Sequence, residues 1–141
     1  VQAEQPTRAL TTLKLLSPRD YDPAVILPAI ATAYIKTKDP AAARQILDPL
    51  LKQVLAIKDV EQRESQLMLI VVHYAPSGDL VKLQQIAAEL KRPNRYRAIA
   101  WLAIAGEART FNQTKLRTQA LSQLISDIKA ANMVDQLGGR F

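Results

Sequence analysis

Apolar residues recur along most of the chain at every third or fourth position, as in Ile26, Ile30, Ala33 and Tyr34, in Leu83, Ile86, Ala87 and Leu90, and in Leu121, Leu124, Ile125 and Ile128. That spacing puts each set on one face of a helix, and no long segment alternates with the period of two that a half-buried strand requires. The pattern predicts an all-α protein. Proline marks where helices begin: Asp22-Pro23 and Asp39-Pro40 each place an acidic N-cap before a proline at the first helical position, where a missing N–H costs nothing. Divided at such marks, the chain reads as a short helix over 7–16 and longer ones over 23–37, 40–57, 60–75, 79–91, 94–110 and 113–131, with a frayed end at Gly138-Gly139. Two prolines conflict with this division. Pro28 lies beyond the first turn of its segment and Pro49 lies in the middle of its own, so a kink or a restart is expected at Asp48-Pro49.

The segments repeat. Tyr34 and Tyr74 are each followed five residues later by Asp (Asp39, Asp79) and twelve residues later by Ile (Ile46, Ile86), each preceded by Gln (Gln45, Gln85). A further copy aligns Arg63 with Arg97, Leu67 with Trp101, Ile70 with Ile104, Gln85 with Gln119 and Leu90 with Leu124. A helix-turn-helix unit recurring at about 34 residues points to stacked helical hairpins. The units run approximately over 23–58, 60–92 and 94–131 of a single 1–141 domain, with a leading helix and linker over 1–22 and a tail over 132–141.

In this register the sequence resembles the tetratricopeptide repeat family, whose first helix carries a large residue, then Leu-Gly three and four positions later, then Tyr seven later. The corresponding residues are Leu27, Ile30, Ala31 and Tyr34; Leu67, Ile70, Val71 and Tyr74; and Trp101, Ile104, Ala105 and Ala108. The second helices match poorly: the family's small residue becomes Ala43, Leu83 and Arg117, its aromatic Leu47, Ala87 and Leu121, and its second small residue Leu50, Leu90 and Leu124. Residues 95–105 also resemble degenerate repeats common in helical-array proteins of cyanobacteria. The resemblance implies a right-handed array of antiparallel helical hairpins, three of them plus a preceding helix. Another hairpin array and a closed helical bundle stay open as topologies, because periodicity alone does not fix them.

The same resemblance implies a concave groove lined by first-helix residues, here Val25, Pro28, Thr32, Met68, Val72, Ile99, Leu102, Gly106 and Arg109. That lining is mostly apolar and lacks the Lys and Asn with which the family clamps a terminal carboxylate. An apolar or amphipathic protein segment is the expected ligand, which makes the chain an interaction module or adaptor. Gly106 interrupts a strong helical pattern, so a close approach is expected there, most simply by a packed helix. Trp101 is expected in the core.

Composition narrows the chemistry. There is no cysteine and one histidine, which removes disulfides, thiolate metal sites and most zinc and acid–base schemes. His73 is expected to be structural or at the surface, and Glu61, Glu64, Asp79 and Glu89 to lie on solvated faces beside Arg63, Lys82 and Lys91. Four glycines make no phosphate loop and no nucleophile constellation is present, so a non-enzymatic role without cofactor or metal is expected. No apolar run is long enough to span a membrane, and the chain reads as soluble. Val1-Gln2-Ala3 resembles the end of a secretory leader, which leaves cytoplasmic and exported locations both open.

Charge adds a second candidate surface. Residues 1–90 carry ten basic and ten acidic side chains, whereas 91–141 carry nine and three, so the second part supplies the whole net charge of +6. Lys91, Arg92, Arg95, Arg97, Lys115 and Arg117 concentrate in one hairpin, an alternative site for nucleic acid or anionic lipid, since a basic surface attracts any polyanion.

Overall fold

The computed structural model describes residues 4–17 and 19–138. Among the described residues seven α-helices follow one another: α1 (Glu4–Leu13), α2 (Pro23–Lys36), α3 (Pro40–Leu55), α4 (Val60–Tyr74), α5 (Leu80–Ala87), α6 (Arg95–Thr110) and α7 (Thr114–Gly138), with a 3-10 turn over Ala75–Ser77. The described residues contain no strand, as the periodicity predicts. Each of α2 to α6 starts on an Asx cap. Asp22, Asp39, Asp59, Asp79 and Asn94 accept the backbone N–H of Ala24, Ala42, Gln62, Lys82 and Tyr96, which would otherwise be orphaned in the first turn.

Several boundaries differ from the sequence expectation, among them the ends of α1 and α5, which stop at Leu13 and Ala87 rather than at 16 and 91. α1 begins at Glu4, because Pro6 falls in a first turn whose N–H groups have no helical partner anyway. α7 runs on through the expected tail to Gly138, no Pro or Gly standing between Thr114 and that residue. The expected restart at Asp48-Pro49 does not occur, and α3 continues from Pro40 to Leu55. Pro49 deprives only the Gln45 carbonyl of its helical donor, on an exposed side where water can serve, while Leu47 and Leu50 stay buried on either side.

The central layer is α2, α4 and α6, with α2 packed on α4 and α4 on α6. The three run parallel. Arg95 in the first turn of α6 reaches Glu61 in the first turn of α4, and the Thr32 hydroxyl of α2 donates to the carbonyl of His73 at the end of α4 at 3.2 Å. α3 packs on α2, α5 on α4 and α6, and α7 on α6, while α1 lies against α2 through a Thr7–Tyr34 hydroxyl contact of 2.9 Å. Arg97 near the start of α6 meets Asp127 in the second half of α7, so that pair is antiparallel.

Burial follows the repeat register closely. Ile30, Ile70 and Ile104 are buried, as are Ala31, Val71 and Ala105, and Tyr34, Tyr74 and Ala108. In the outer helices Ala43 and Leu83 are buried and Arg117 is exposed; Leu47 and Ala87 are buried and Leu121 is half-buried; Leu50 and Leu90 are buried and Leu124 is half-buried. Leu67 is fully enclosed, whereas its counterparts Leu27 and Trp101 are half-buried against the core, with the indole N–H of Trp101 enclosed and without a partner among the described residues.

The turns repeat too. Lys38, Gly78 and Asn112 precede the starts of α3, α5 and α7 and all adopt the left-handed conformation, with φ of 63°, 73° and 54°. The N–H groups of Asp39 and Gln113 donate back to the carbonyls of Tyr34 and Ala108 at 2.9 and 2.7 Å, which closes the helix ends. Glycine suits this geometry; Lys does so only under strain.

Candidate interaction surface

The exposed face of α6 is the clearest apolar feature of the central layer. Ile99 is 42% exposed and Leu102 56%. Gly106 and Arg109 continue the same face at helical spacing and are exposed as well, while Ala100, Ile104 and Ala108 on the opposite side are buried. With Glu61 opposite Arg95, Met68 of α4 stands level with Leu102 and Val72 with Gly106, and both are half-buried. Val25, on the far helix of the layer, is half-buried too.

Thr32 and Pro28 do not belong to an accessible surface. Both are buried, and the Thr32 hydroxyl is spent on the end of α4. Thr32, expected to line a groove, is instead a tie between α2 and α4. Gly106 also differs from expectation: beyond its own helix, no atom of the described residues lies within 4 Å of the place where its Cβ would stand, so no packed helix among them explains it.

The basic cluster is divided by the length of α6. Lys91, Arg92, Arg95 and Arg97 stand at its amino end and Lys115 and Arg117 beyond its carboxyl end, a separation of about 22 Å along the axis. Three of the six are engaged within the chain. The Arg97 guanidinium donates twice to Asp127, at 2.8 and 2.7 Å, and also reaches the Lys91 carbonyl at 3.1 Å. Asp127 is fully buried, and its hydrogen bonds hold Arg97 above the usual guanidinium range. Arg92 pairs with Glu64, whose other oxygen accepts from the Asn94 amide at 2.6 Å. Arg95 lies 3.3 Å from Glu61 and 4.9 Å above the ring of Tyr96, and the Tyr96 hydroxyl itself donates to Glu61 at 3.0 Å. Tyr96, the aromatic among the amino-end cations, thus already carries Arg95 over its ring, while Phe111 near the carboxyl-end cations is exposed.

These contacts correct the reading of the acids. Glu64 is buried and joins α4 to the segment before α6, so it does not lie on a solvated face. Asp79 is half-buried, caps α5 and accepts the Tyr74 hydroxyl at 2.7 Å. Asp127 escaped sequence reasoning. It stands on the side of α7 that buries Ala120, whereas Ile125 and Ile128, which the apolar period assigns to the packed face, are exposed, so the sequence pattern pointed away from it. Lys91, Lys115 and Arg117 make no salt bridge among the described residues.

No three His, Asp or Glu side chains converge as a metal site would require among the described residues, and no described helix is long and apolar enough to cross a membrane. Comparison with family models, with curated proteins and with solved structures finds no match.

Proposed function

We propose that this chain is a protein–protein interaction module or adaptor, a right-handed tetratricopeptide-like array of about three helical hairpins with a preceding helix. Its ligand is an apolar or amphipathic segment held along α6 and the adjoining part of α4. The observation that carries the reading is the exposure of Ile99 and Leu102 together on a central-layer helix whose opposite side is fully packed. Clustered apolar side chains of this kind mark a surface meant to be covered. The parallel central helices, the burial pattern at 34- and 40-residue offsets and the recurring left-handed turns support the array.

The alternative is polyanion binding through 91–117. The excess of basic residues favours it, and the engagement of Arg92, Arg95 and Arg97 by carboxylates counts against it. Met68→Glu combined with Leu102→Glu tests the first reading: protein capture is lost while helicity by circular dichroism is kept. Loss of helicity would make these residues part of the core. For the alternative, labelled duplex and single-stranded oligonucleotides should bind only weakly at physiological salt. A duplex-binding mode would lose affinity with a log–log salt slope of about −0.9 per phosphate neutralised, and submicromolar binding abolished by Arg95→Glu/Arg97→Glu would promote it over the adaptor.

A further inference from the structure

The apolar face of α6 is unsymmetrical in charge. At its amino end the cation within the helix, Arg95, is shared between Glu61 and the ring of Tyr96, and Lys91, which makes no salt bridge among the described residues, lies in the segment before the helix. At its carboxyl end Arg109 makes no salt bridge among the described residues, and it shares with Arg117 a concavity of about 300 Å³ whose remaining lining, Ala108, Asn112 and Thr114, holds no acid. Glu107 does not compensate it. Two positions from Arg109, it projects from another side of the helix. Between the two ends stands Gly106, open to solvent, at a helix-interior position where glycine costs about 1 kcal/mol against alanine and nothing among the described residues requires it.

We infer that the occupant of this face is an amphipathic helix of a protein partner, bound in one direction: its apolar residues rest on Ile99 and Leu102, its backbone passes close over Gly106, and one or more carboxylates at one end lie over Arg109 and Arg117. The inference rests on the proposed function and adds the partner's chemistry and polarity to it. Charge complementarity selects the occupant. Two uncompensated guanidinium groups converge at one end only, so an acidic end gains there what a basic end loses. Leu102 and Arg109 are seven residues apart, so the acid falls about two turns beyond the apolar anchors of a partner running alongside.

Selection of random displayed peptides of about 15 residues, long enough for a helix of about 22 Å, tests this on the full chain. Four baits are used: wild type, Leu102→Glu, Arg109→Glu/Arg117→Glu and Gly106→Ala, each first shown to be folded by circular dichroism. Wild type should enrich peptides with apolar residues at i, i+3 or i+4 and Asp or Glu about two turns on, and Leu102→Glu should enrich none of them. Replacing that acid by Lys in a selected peptide should weaken binding about two- to fivefold, as an exposed ion pair allows, and the double Arg variant should prefer the Lys form. Gly106→Ala should weaken the same peptides about tenfold, because a methyl group is forced into a close-packed contact. Leu102-dependent peptides without a placed acid would overturn the inference and leave the groove standing. Absence of any Leu102-dependent peptide would overturn both. Self-association in sedimentation that Leu102→Glu abolishes would make a second copy the occupant and equally overturn it.

Discussion

Gly78 shows how much one residue can hold in this molecule. Its left-handed φ of 73° is strained for any L side chain, and a Cβ there would stand 2.4 Å from the ring of Phe111, which lies across it from the next inter-helix turn. Gly78→Ala should therefore cost at least about 1 kcal/mol, and Phe111→Ala in the same chain should relieve the clash without relieving the backbone. Lys38 is the converse. It holds the same turn geometry at φ 63° without needing a side chain there, so Lys38→Gly should stabilise the fold by about 0.5–1 kcal/mol in urea denaturation. Tyr74 carries a pH prediction: burial, and then the hydrogen bond to Asp79, raise its phenol above the ordinary tyrosine range. The unfolded chain releases that proton first, so the stabilisation is complete below about pH 10 and is lost progressively above it. Tyr74→Phe should flatten the alkaline fall in stability; an unchanged slope would show that Tyr74 is not its source.

At the scale of elements, the helices were legible from their period and, for two of them, from their starts. Asp-Pro pairs marked the amino ends of α2 and α3 and the 3.6-residue period marked the segments, so six lie within a few residues of their predicted bounds. On α7 the period misplaced the packed side, since Ile125 and Ile128 are exposed. What could not be read was which polar residues turn inward. Thr32, Glu64 and Asp127 resemble surface residues on their own, and only the juxtaposition of elements distant in sequence gives each its hydrogen-bond partner. The basic cluster dissolved for the same reason, since its acids sit about 30 residues away in α4 and α7. The Arg97–Asp127 pair is the main polar tie between α6 and α7. Asp127→Ala strands a partly buried guanidinium and should cost about 3–5 kcal/mol, read as a lowered urea midpoint. A loss below about 1 kcal/mol, the range of exposed pairs, would mean that the two helices are held by apolar packing alone.

For the whole molecule, the parallel layer of α2, α4 and α6 leaves one broad face whose apolar content peaks on α6, and charge is concentrated at the same end of the chain. An adaptor and a polyanion binder would use different parts of it: the first the strip through Leu102, the second the segment around Lys91, which is exposed and makes no salt bridge among the described residues. A photoreactive benzoylphenylalanine placed at position 102 or at position 91 of the full chain, irradiated in cells that express it, separates the two most directly. The adaptor reading predicts a discrete protein adduct from position 102, suppressed by Ile99→Glu, and little from position 91. Nucleic-acid adducts from position 91, with no protein adduct from position 102, would contradict it.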